Sequence, residues 1–111
     1  MKREFIHTTG FESDWKDLKL GDEELRQLES ILLKHPKIGV EVDDVPGLRK
    51  MRFAIRSKGK RGGARVLYVD YEIKEKIILI MAYAKSEKDD LTGAEANAMR
   101  RYVKILKEVY K

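Results

Sequence analysis

Apolar and basic positions alternate through the middle of the chain with the two-residue period of a β-strand. This pattern runs from Leu48 to Ser57 and predicts a strand that buries one face and exposes a basic one. The apolar positions are Met51, Phe53 and Ile55, and the basic positions are Lys50, Arg52 and Arg56.

Two further strands are predicted after this one. The segment Ala64 to Ile73 is rich in valine and tyrosine, and the glycine-rich basic segment Ser57 to Gly63 joins it to the first strand as a hairpin. Lys76 to Ala84 is almost wholly apolar, which is typical of a central strand that is buried on both faces. Three strands joined in sequence by short turns predict an antiparallel meander.

Helices are predicted on both sides of the meander. Asp22 can cap a helix with a leucine stripe that ends at Pro36, and Thr92 to Glu95 matches a capping box that opens a helix reaching the C terminus. Arg3 to Thr8 is predicted as a short strand and Phe11 to Leu18 as a helical turn.

The segment Lys37 to Gly47 is interpreted as a connecting loop anchored by Val40 and Val42. The order of elements predicts an α+β fold with an N-terminal strand and helices, a three-stranded antiparallel meander and a C-terminal helix. At 111 residues, with no linker or repeat, the chain is expected to form one domain over residues 1–111.

Composition narrows the class of protein. The absence of cysteine excludes disulfides and thiolate zinc sites. No apolar run approaches the roughly 18 residues of a membrane span, and the start has no secretory signal, so a cytoplasmic protein without membrane association is expected. His7 and His35 lie away from the basic segment. The adjacent carboxylates Asp43-Asp44 and Asp89-Asp90 are interpreted as solvated residues or helix caps, so no metal or cofactor is predicted.

Basic residues are concentrated in one interval. Between Asp44 and Asp70 there is no acidic residue, whereas eight of the 24 basic residues lie there. The other 16 basic residues are outnumbered by 19 acidic ones, so the chain is polarised rather than uniformly basic. This interval predicts a cationic surface for a polyanion, and RNA is the polyanion that we expect. A solvated strand face with an exposed tip is the alternative.

Glycines and tyrosines add to this hypothesis. Gly59, Gly62 and Gly63 can let the backbone approach phosphates closely, although the pattern lacks the ending of a Walker A loop. Tyrosines in the strands, among them Tyr68 and Tyr83, can stack on bases, although tyrosines at the edge of a core are also common in sheets.

The chain resembles the HigB-like toxins of the RelE/ParE superfamily. The similarity spans nearly the whole chain and is carried by four segments, which are Gly47 to Arg52, Lys58 to Val66, Tyr83 to Glu87, and Asp90-Leu91. It implies a compact toxin of a type II toxin–antitoxin system that cleaves messenger RNA (mRNA) on the ribosome, contacts ribosomal RNA and is neutralised by a helix-turn-helix antitoxin. Relatives often have asparagine where this chain has Ser86.

The resemblance, together with the chemistry of RNA cleavage, assigns hypothetical roles. Metal-independent cleavage by the 2′-hydroxyl needs a base, an acid and cations around the phosphorane. A lysine crowded by other cations loses its proton more readily and can serve as the base. The candidate catalytic residues are Arg65, Lys58, Lys60, Tyr83 and Lys85. The candidate RNA- and phosphate-binding residues are Arg49, Lys50, Arg52, Arg56, Arg61 and Tyr68.

Two other functions fit the same sequence. The superfamily includes ParE-like inhibitors of gyrase, and a basic hairpin can also bind RNA or the ribosome without cleaving anything. Loss of cellular mRNA, gyrase-dependent DNA breakage, or RNA binding without cleavage would distinguish the three.

Overall fold

The computed structural model describes residues 2–55, 63–88 and 90–111. Three helices and a five-stranded sheet are formed by these residues. The strands are β1 (Glu4–His7), β2 (Val40–Glu41), β3 (Leu48–Phe53), β4 (Ala64–Tyr71) and β5 (Lys76–Ala84). The helices are α1 (Thr9–Asp17), α2 (Asp22–Lys34) and α3 (Gly93–Val109).

The sheet has the order β1-β5-β4-β3-β2, with β1 parallel to β5 and the other pairs antiparallel. The predicted meander is confirmed as β3, β4 and β5, and β5 has the predicted bounds. The loop prediction for Lys37 to Gly47 is wrong in part, because Val40 and Glu41 add the edge strand β2. Val40 is 66% exposed and therefore does not anchor this segment, whereas Val45 is fully buried.

Helices cover the two faces of the sheet. On one face α1 and α2 contribute the aromatic and leucine side chains of a core that includes Phe11, Trp15 and Leu28. On the other face α3 contributes Val103 and Leu106 to a second core. The predicted α+β fold is therefore confirmed, with the sheet sandwiched between helices.

The two helix starts differ in how closely they match prediction. At α3 the capping box is confirmed, since the Glu95 N–H donates to the Thr92 hydroxyl and the Thr92 N–H donates to the Glu95 carboxylate. At α2 the capping residue is Gly21 rather than Asp22, and the Gly21 N–H donates to the carboxylate of Glu24 at 2.8 Å. A carboxylate in the first turn stabilises both helices by satisfying an N–H that has no intrahelical acceptor.

A β-bulge in β5 changes which side chains share a face. Leu67 pairs with Met81 and the next residue, Tyr68, pairs with Leu79, so Ile80 is the extra residue. Ile80 and Met81 consequently both pack on the α3 side, and the alternation changes phase after them. This phase change puts Tyr83 on the α3 side, although Ile77 and Leu79, an even number of residues before it, face α1 and α2.

At the edge of β5, past the residues that pair with β1, a side chain supplies the hydrogen-bond acceptor for a backbone N–H. The N–H of Ala82 donates to Oδ2 of Asp14 at 2.9 Å, where no neighbouring strand supplies a carbonyl. Burial raises the pKa of Asp14, and the hydrogen bond from Ala82 acts in the opposite direction.

A buried ion pair fixes the start of the chain to the end of β4. Arg3 Nε donates to Oδ1 of Asp70 at 2.8 Å, and Lys37 Nζ lies 3.1 Å from Oδ2. The side chains of Arg3 and Asp70 are 5% and 1% exposed. Burial raises the pKa of Asp70, but the hydrogen bonds and charges of Arg3 and Lys37 outweigh it, and the pKa lies below its ordinary value.

Within the part of the chain described, none of the helices has both the length and the apolar character of a membrane span.

Candidate nucleic-acid interface

A row of three polar side chains crosses the meander on the side of the sheet that carries α3. Arg52 on β3 is paired with Arg65 on β4, and Arg65 is paired with Tyr83 on β5. Directly paired residues in antiparallel strands have Cβ atoms about 4.5–5.5 Å apart. The register therefore brings two predicted cations and one predicted tyrosine together, from three separate strands.

A groove of about 470 Å³ lies beside this row at the β2 edge of the sheet. Its cationic side is formed by Lys50, Arg52 and Arg65. Its apolar side includes Ile38 and Val40, which are 48% and 66% exposed. A groove that combines cations with exposed apolar side chains offers contacts for both a phosphate and the flat face of a base.

Arg65 occupies an unusual position for a charged residue. It is 3% exposed, so its charge is kept from solvent like the charges of the Arg3–Asp70 ion pair. Its Nη1 donates to the carbonyl of Ala64 at 3.3 Å, which holds the guanidinium near its own strand. A cation that is kept out of water in the centre of a sheet is strongly constrained in position and acts on nearby charge through a medium of low polarity.

Acidic residues at the start of α3 neutralise part of the cationic face. Asp90 forms an ion pair with Lys50, and the hydrogen bond from Lys50 lowers the pKa of Asp90. Lys88 forms an ion pair with Glu95, and its ammonium lies 5.0 Å from the centre of the Tyr83 ring. An anionic ligand of the groove therefore competes with the Asp90 carboxylate for Lys50.

Arg49, a predicted RNA-binding residue, does not share this face. It neighbours Lys50 in sequence and consequently points to the opposite side of β3. Its Nη1 donates to the carbonyls of Gly39 at 2.6 Å and Lys37 at 3.3 Å, so its guanidinium holds the chain that follows α2.

Tyr68 is also placed differently from the prediction, because its ring is fully buried in the core beneath α1 and α2. Its hydroxyl donates to the carbonyl of Pro36 at 2.8 Å and accepts from the N–H of Gly39 at 2.9 Å. A Cβ at Gly39 would lie 2.9 Å from the Tyr68 ring, so glycine is required for this approach. Tyr68 cannot stack on a base, and its role is to pack the core.

Four predicted site residues lie outside the described part of the chain. They are Arg56, Lys58, Lys60 and Arg61. The hairpin base that follows them begins at Gly63, whose φ of +62° and closeness to the Phe53 carbonyl exclude any Cβ. Lys85 is exposed, and its N–H donates to the Gly63 carbonyl at 3.1 Å, which places it opposite this base.

Ile38, Lys88 and Asp90 are neighbours of the cationic face that sequence reasoning missed. Ile38 lies in the segment that was interpreted as a loop, and its contribution depends on the pairing of β2 with β3. Asp90 reaches Lys50 across 40 positions of sequence, which no local pattern reports. The β-branched residues at positions 38, 40 and 42 are the local sequence signal that could have indicated a strand here.

A comparison with known protein families identifies the family of this chain. Residues 5–111 match the family model described as RelE toxin of the RelE / RelB toxin-antitoxin system. The chain belongs to the RelE toxin family. It is therefore a toxin of a toxin–antitoxin system, and its resemblance to the RelE/ParE superfamily is confirmed, whereas the HigB-like subtype stays a prediction.

Solved structures agree on the fold of this RelE-family chain. A free-state E. coli RelE toxin with two arginines changed to alanine is 20% identical, with a TM-score of 0.59 over 88% of this chain and 97% of that chain. The isolated E. coli RelE toxin is 19% identical, with a TM-score of 0.53 over 90% and 98% of the two chains. At this identity the likeness concerns the fold.

Proposed function

We propose that this toxin is a metal-independent endoribonuclease that cleaves mRNA on the ribosome in the cytoplasm and so inhibits translation. Its activity is neutralised by a cognate helix-turn-helix antitoxin. The observation that carries the proposal is the row of Arg52, Arg65 and Tyr83 across three paired strands, beside a groove that combines cations with apolar side chains.

The chemistry requires no group beyond those of protein and RNA. The 2′-oxygen of a ribose forms a bond to the adjacent phosphorus while the bond to the departing 5′-oxygen breaks, which leaves a cyclic phosphate and a free 5′-hydroxyl. One protein group accepts the proton of the 2′-hydroxyl and another donates a proton to the 5′-oxygen. The product ends follow directly from this order of bond changes and can be identified chemically.

Arg65 and Arg52 are the groups proposed to stabilise the phosphorane. Charge develops on the non-bridging oxygens in the transition state, and donors that are already fixed in place stabilise this charge without reorganisation. Arg65 is buried and hydrogen-bonded to its own strand, which meets this requirement. Arg52 is exposed and paired with it, so it can approach the phosphate from the solvent side.

Proton transfer is assigned to residues around the hairpin. Tyr83 or Lys85 is proposed to take part as a proton donor, since Tyr83 ends the row and Lys85 directly follows β5. Lys58 or Lys60 is proposed as the base, and Arg56, Arg61 and Lys50 as phosphate contacts. The sequence around these residues supports the roles at positions 56, 58, 60 and 61.

A ribosome-programmed cleavage assay tests this function. Purified toxin is mixed with a labelled mRNA, either naked or bound in the A site of E. coli ribosomes, and the 3′ ends of the products are analysed. The expected result is cleavage only on ribosomes, with cyclic phosphate ends. Intact mRNA together with loss of gyrase supercoiling would support the ParE-like alternative, and ribosome binding without cleavage would support a binding module.

Replacing Asp90 by asparagine is expected to strengthen RNA binding by about threefold at low salt, because the carboxylate no longer competes for Lys50. The probe is a short single-stranded RNA with methylated 2′-hydroxyls, which cannot be cleaved, and the measurement is its Kd at two salt concentrations. The gain should shrink at high salt.

Glu108→Gln is the matched control, since Glu108 pairs with Lys111 at the far end of α3 and both are exposed. If Asp90→Asn and Glu108→Gln bind the RNA equally tightly at low salt, the Asp90 carboxylate does not compete with RNA for Lys50.

A further inference from the structure

The C-terminal half of α3 carries a second cationic surface. Its members are Arg100, Arg101, Lys104 and Lys107, whose successive spacings of one, three and three residues put them on one side of the helix. Seven residues of α-helix span about 10 Å, so four positive charges are concentrated on two turns. We define these four residues as the α3 stripe.

The α3 stripe lines a groove rather than a convex surface. The groove has a volume of about 440 Å³ and is closed on one side by Pro46, in the loop before β3. Arg100 Nη1 donates to the carbonyl of Asp44 at 2.7 Å, which fixes the helix to this loop. A Cβ at Gly47 would lie 3.3 Å from Lys107 Nζ, so the ammonium lies close to the loop backbone.

The charge of the α3 stripe is not neutralised within the described part of the chain. No carboxylate of residues 2–55, 63–88 or 90–111 forms an ion pair with any of its four members. The two acidic residues of α3 are engaged elsewhere, Glu95 with Lys88 and Glu108 with Lys111. Uncompensated cations on a rigid helix are a strong attractant for a polyanion.

The lining of the groove indicates which polyanion fits. It contains no aromatic side chain to stack an unpaired base. Rigid point charges without a stacking surface suit the phosphates of an RNA double helix, which proteins recognise by shape and backbone. Asn97 and the two arginines add hydrogen-bond donors that suit phosphate and ribose oxygens.

We propose that the α3 stripe docks the backbone of double-helical RNA, separately from the groove at Arg52 and Arg65. The inference rests on the proposed function, because the ribosome presents such helices next to the mRNA. The two sites lie on the same side of the sheet: Asp90 reaches Lys50 near the start of α3, and Lys107 reaches the loop before β3. One RNA-rich particle can contact both, and this explains a requirement for the ribosome.

The test is a charge reversal, Arg101→Glu with Lys104→Glu, in the full-length chain. Kd is measured for vacant E. coli ribosomes, for a blunt RNA duplex and for the methylated single-stranded RNA. Removing two phosphate contacts should weaken binding to ribosomes and duplex by about tenfold or more and lower the salt slope by about two. Binding of the single strand should stay within about twofold, because the α3 stripe is outside the cleavage groove.

The matched control is Lys16→Glu with Lys74→Glu, two exposed lysines away from α3, and it should bind all three probes like the wild type. Thermal unfolding establishes that both double variants fold. Unchanged affinity of the α3 variant for ribosomes and duplex would overturn the proposal. An acidic protein segment would then be the alternative ligand of this surface. An equal loss for all three probes would also overturn it.

Failure of the proposed function is distinguishable from failure of this inference. Wild-type toxin that binds ribosomes through the α3 stripe but leaves mRNA intact contradicts the nuclease alone. Cleavage by wild type together with unchanged ribosome affinity of the charge-reversed variant contradicts the docking surface alone.

Discussion

Replacing Arg65 by methionine should reduce ribosome-dependent cleavage by about 10²- to 10³-fold, the usual effect of losing one fixed donor to a developing oxyanion. Methionine keeps an apolar stem in a position that is 3% exposed, so the core loses little packing while the charge is removed. The measurement is the single-turnover rate at saturating programmed ribosomes, which separates chemistry from binding. Arg65→Lys should recover only part of the rate, because lysine lacks the planar fork.

Arg49→Met is the control for this prediction. Arg49 lies on the opposite side of the sheet and donates to backbone carbonyls, so its loss should lower Tm while the cleavage rate of folded protein stays within about threefold. A wild-type rate for Arg65→Met would remove Arg65 from the site. If that variant unfolds, a wild-type rate for Arg65→Lys would lead to the same conclusion, because the fork is then not needed.

Asp70→Asn should lower the free energy of unfolding by about 3 kcal/mol at neutral pH, because it leaves the buried guanidinium of Arg3 without its counter-charge. Urea unfolding followed by circular dichroism measures the change. Glu72→Gln is the control, since Glu72 pairs with the same Lys37 but its side chain is 62% exposed. That substitution should cost less than about 1 kcal/mol.

The effect of Asp70 depends on pH in a defined direction. Because its pKa is lower in the folded than in the unfolded chain, its contribution is complete above the ordinary aspartate value of about 4. It is lost as pH falls through the lowered pKa. The difference between wild type and Asp70→Asn should therefore be large at pH 7 and should shrink below about pH 4. A difference that is constant from neutral to strongly acidic pH would show that the ion pair does not stabilise the fold.

Much of the fold could be predicted because its signals are local. Alternation identified β3, an uninterrupted apolar run identified β5, and Thr92 with Glu95 identified the start of α3. The edge strand β2 was missed because two residues carry almost no periodicity and their strand character depends on pairing with β3. The parallel pairing of β1 with β5 joins segments about 70 residues apart, which local pattern does not report.

The candidate site was predictable in residue types but less so in geometry. Alternation correctly put Lys50 and Arg52 on one face of β3, and the same rule put Arg49 on the other, although net charge alone grouped all three. Tyr68 looked like a stacking residue because tyrosine is common in both roles, and only the packing of α1 and α2 over it decides for the core. The pairing of Arg65 with Arg52 and with Tyr83 could not be predicted, because it depends on the register between β4 and its two neighbouring strands.

The β-bulge at Ile80 determines which side of the sheet Tyr83 occupies. With even alternation, Tyr83 would share the side of Ile77 and Leu79, and the arginine row would end on an alanine. The additional residue in the strand thus reverses the alternation and places the phenol of Tyr83 on the same side of the sheet as the two arginines. The same sequence paired without the bulge would keep Arg52 beside Arg65 and would place Ala82, instead of Tyr83, opposite Arg65.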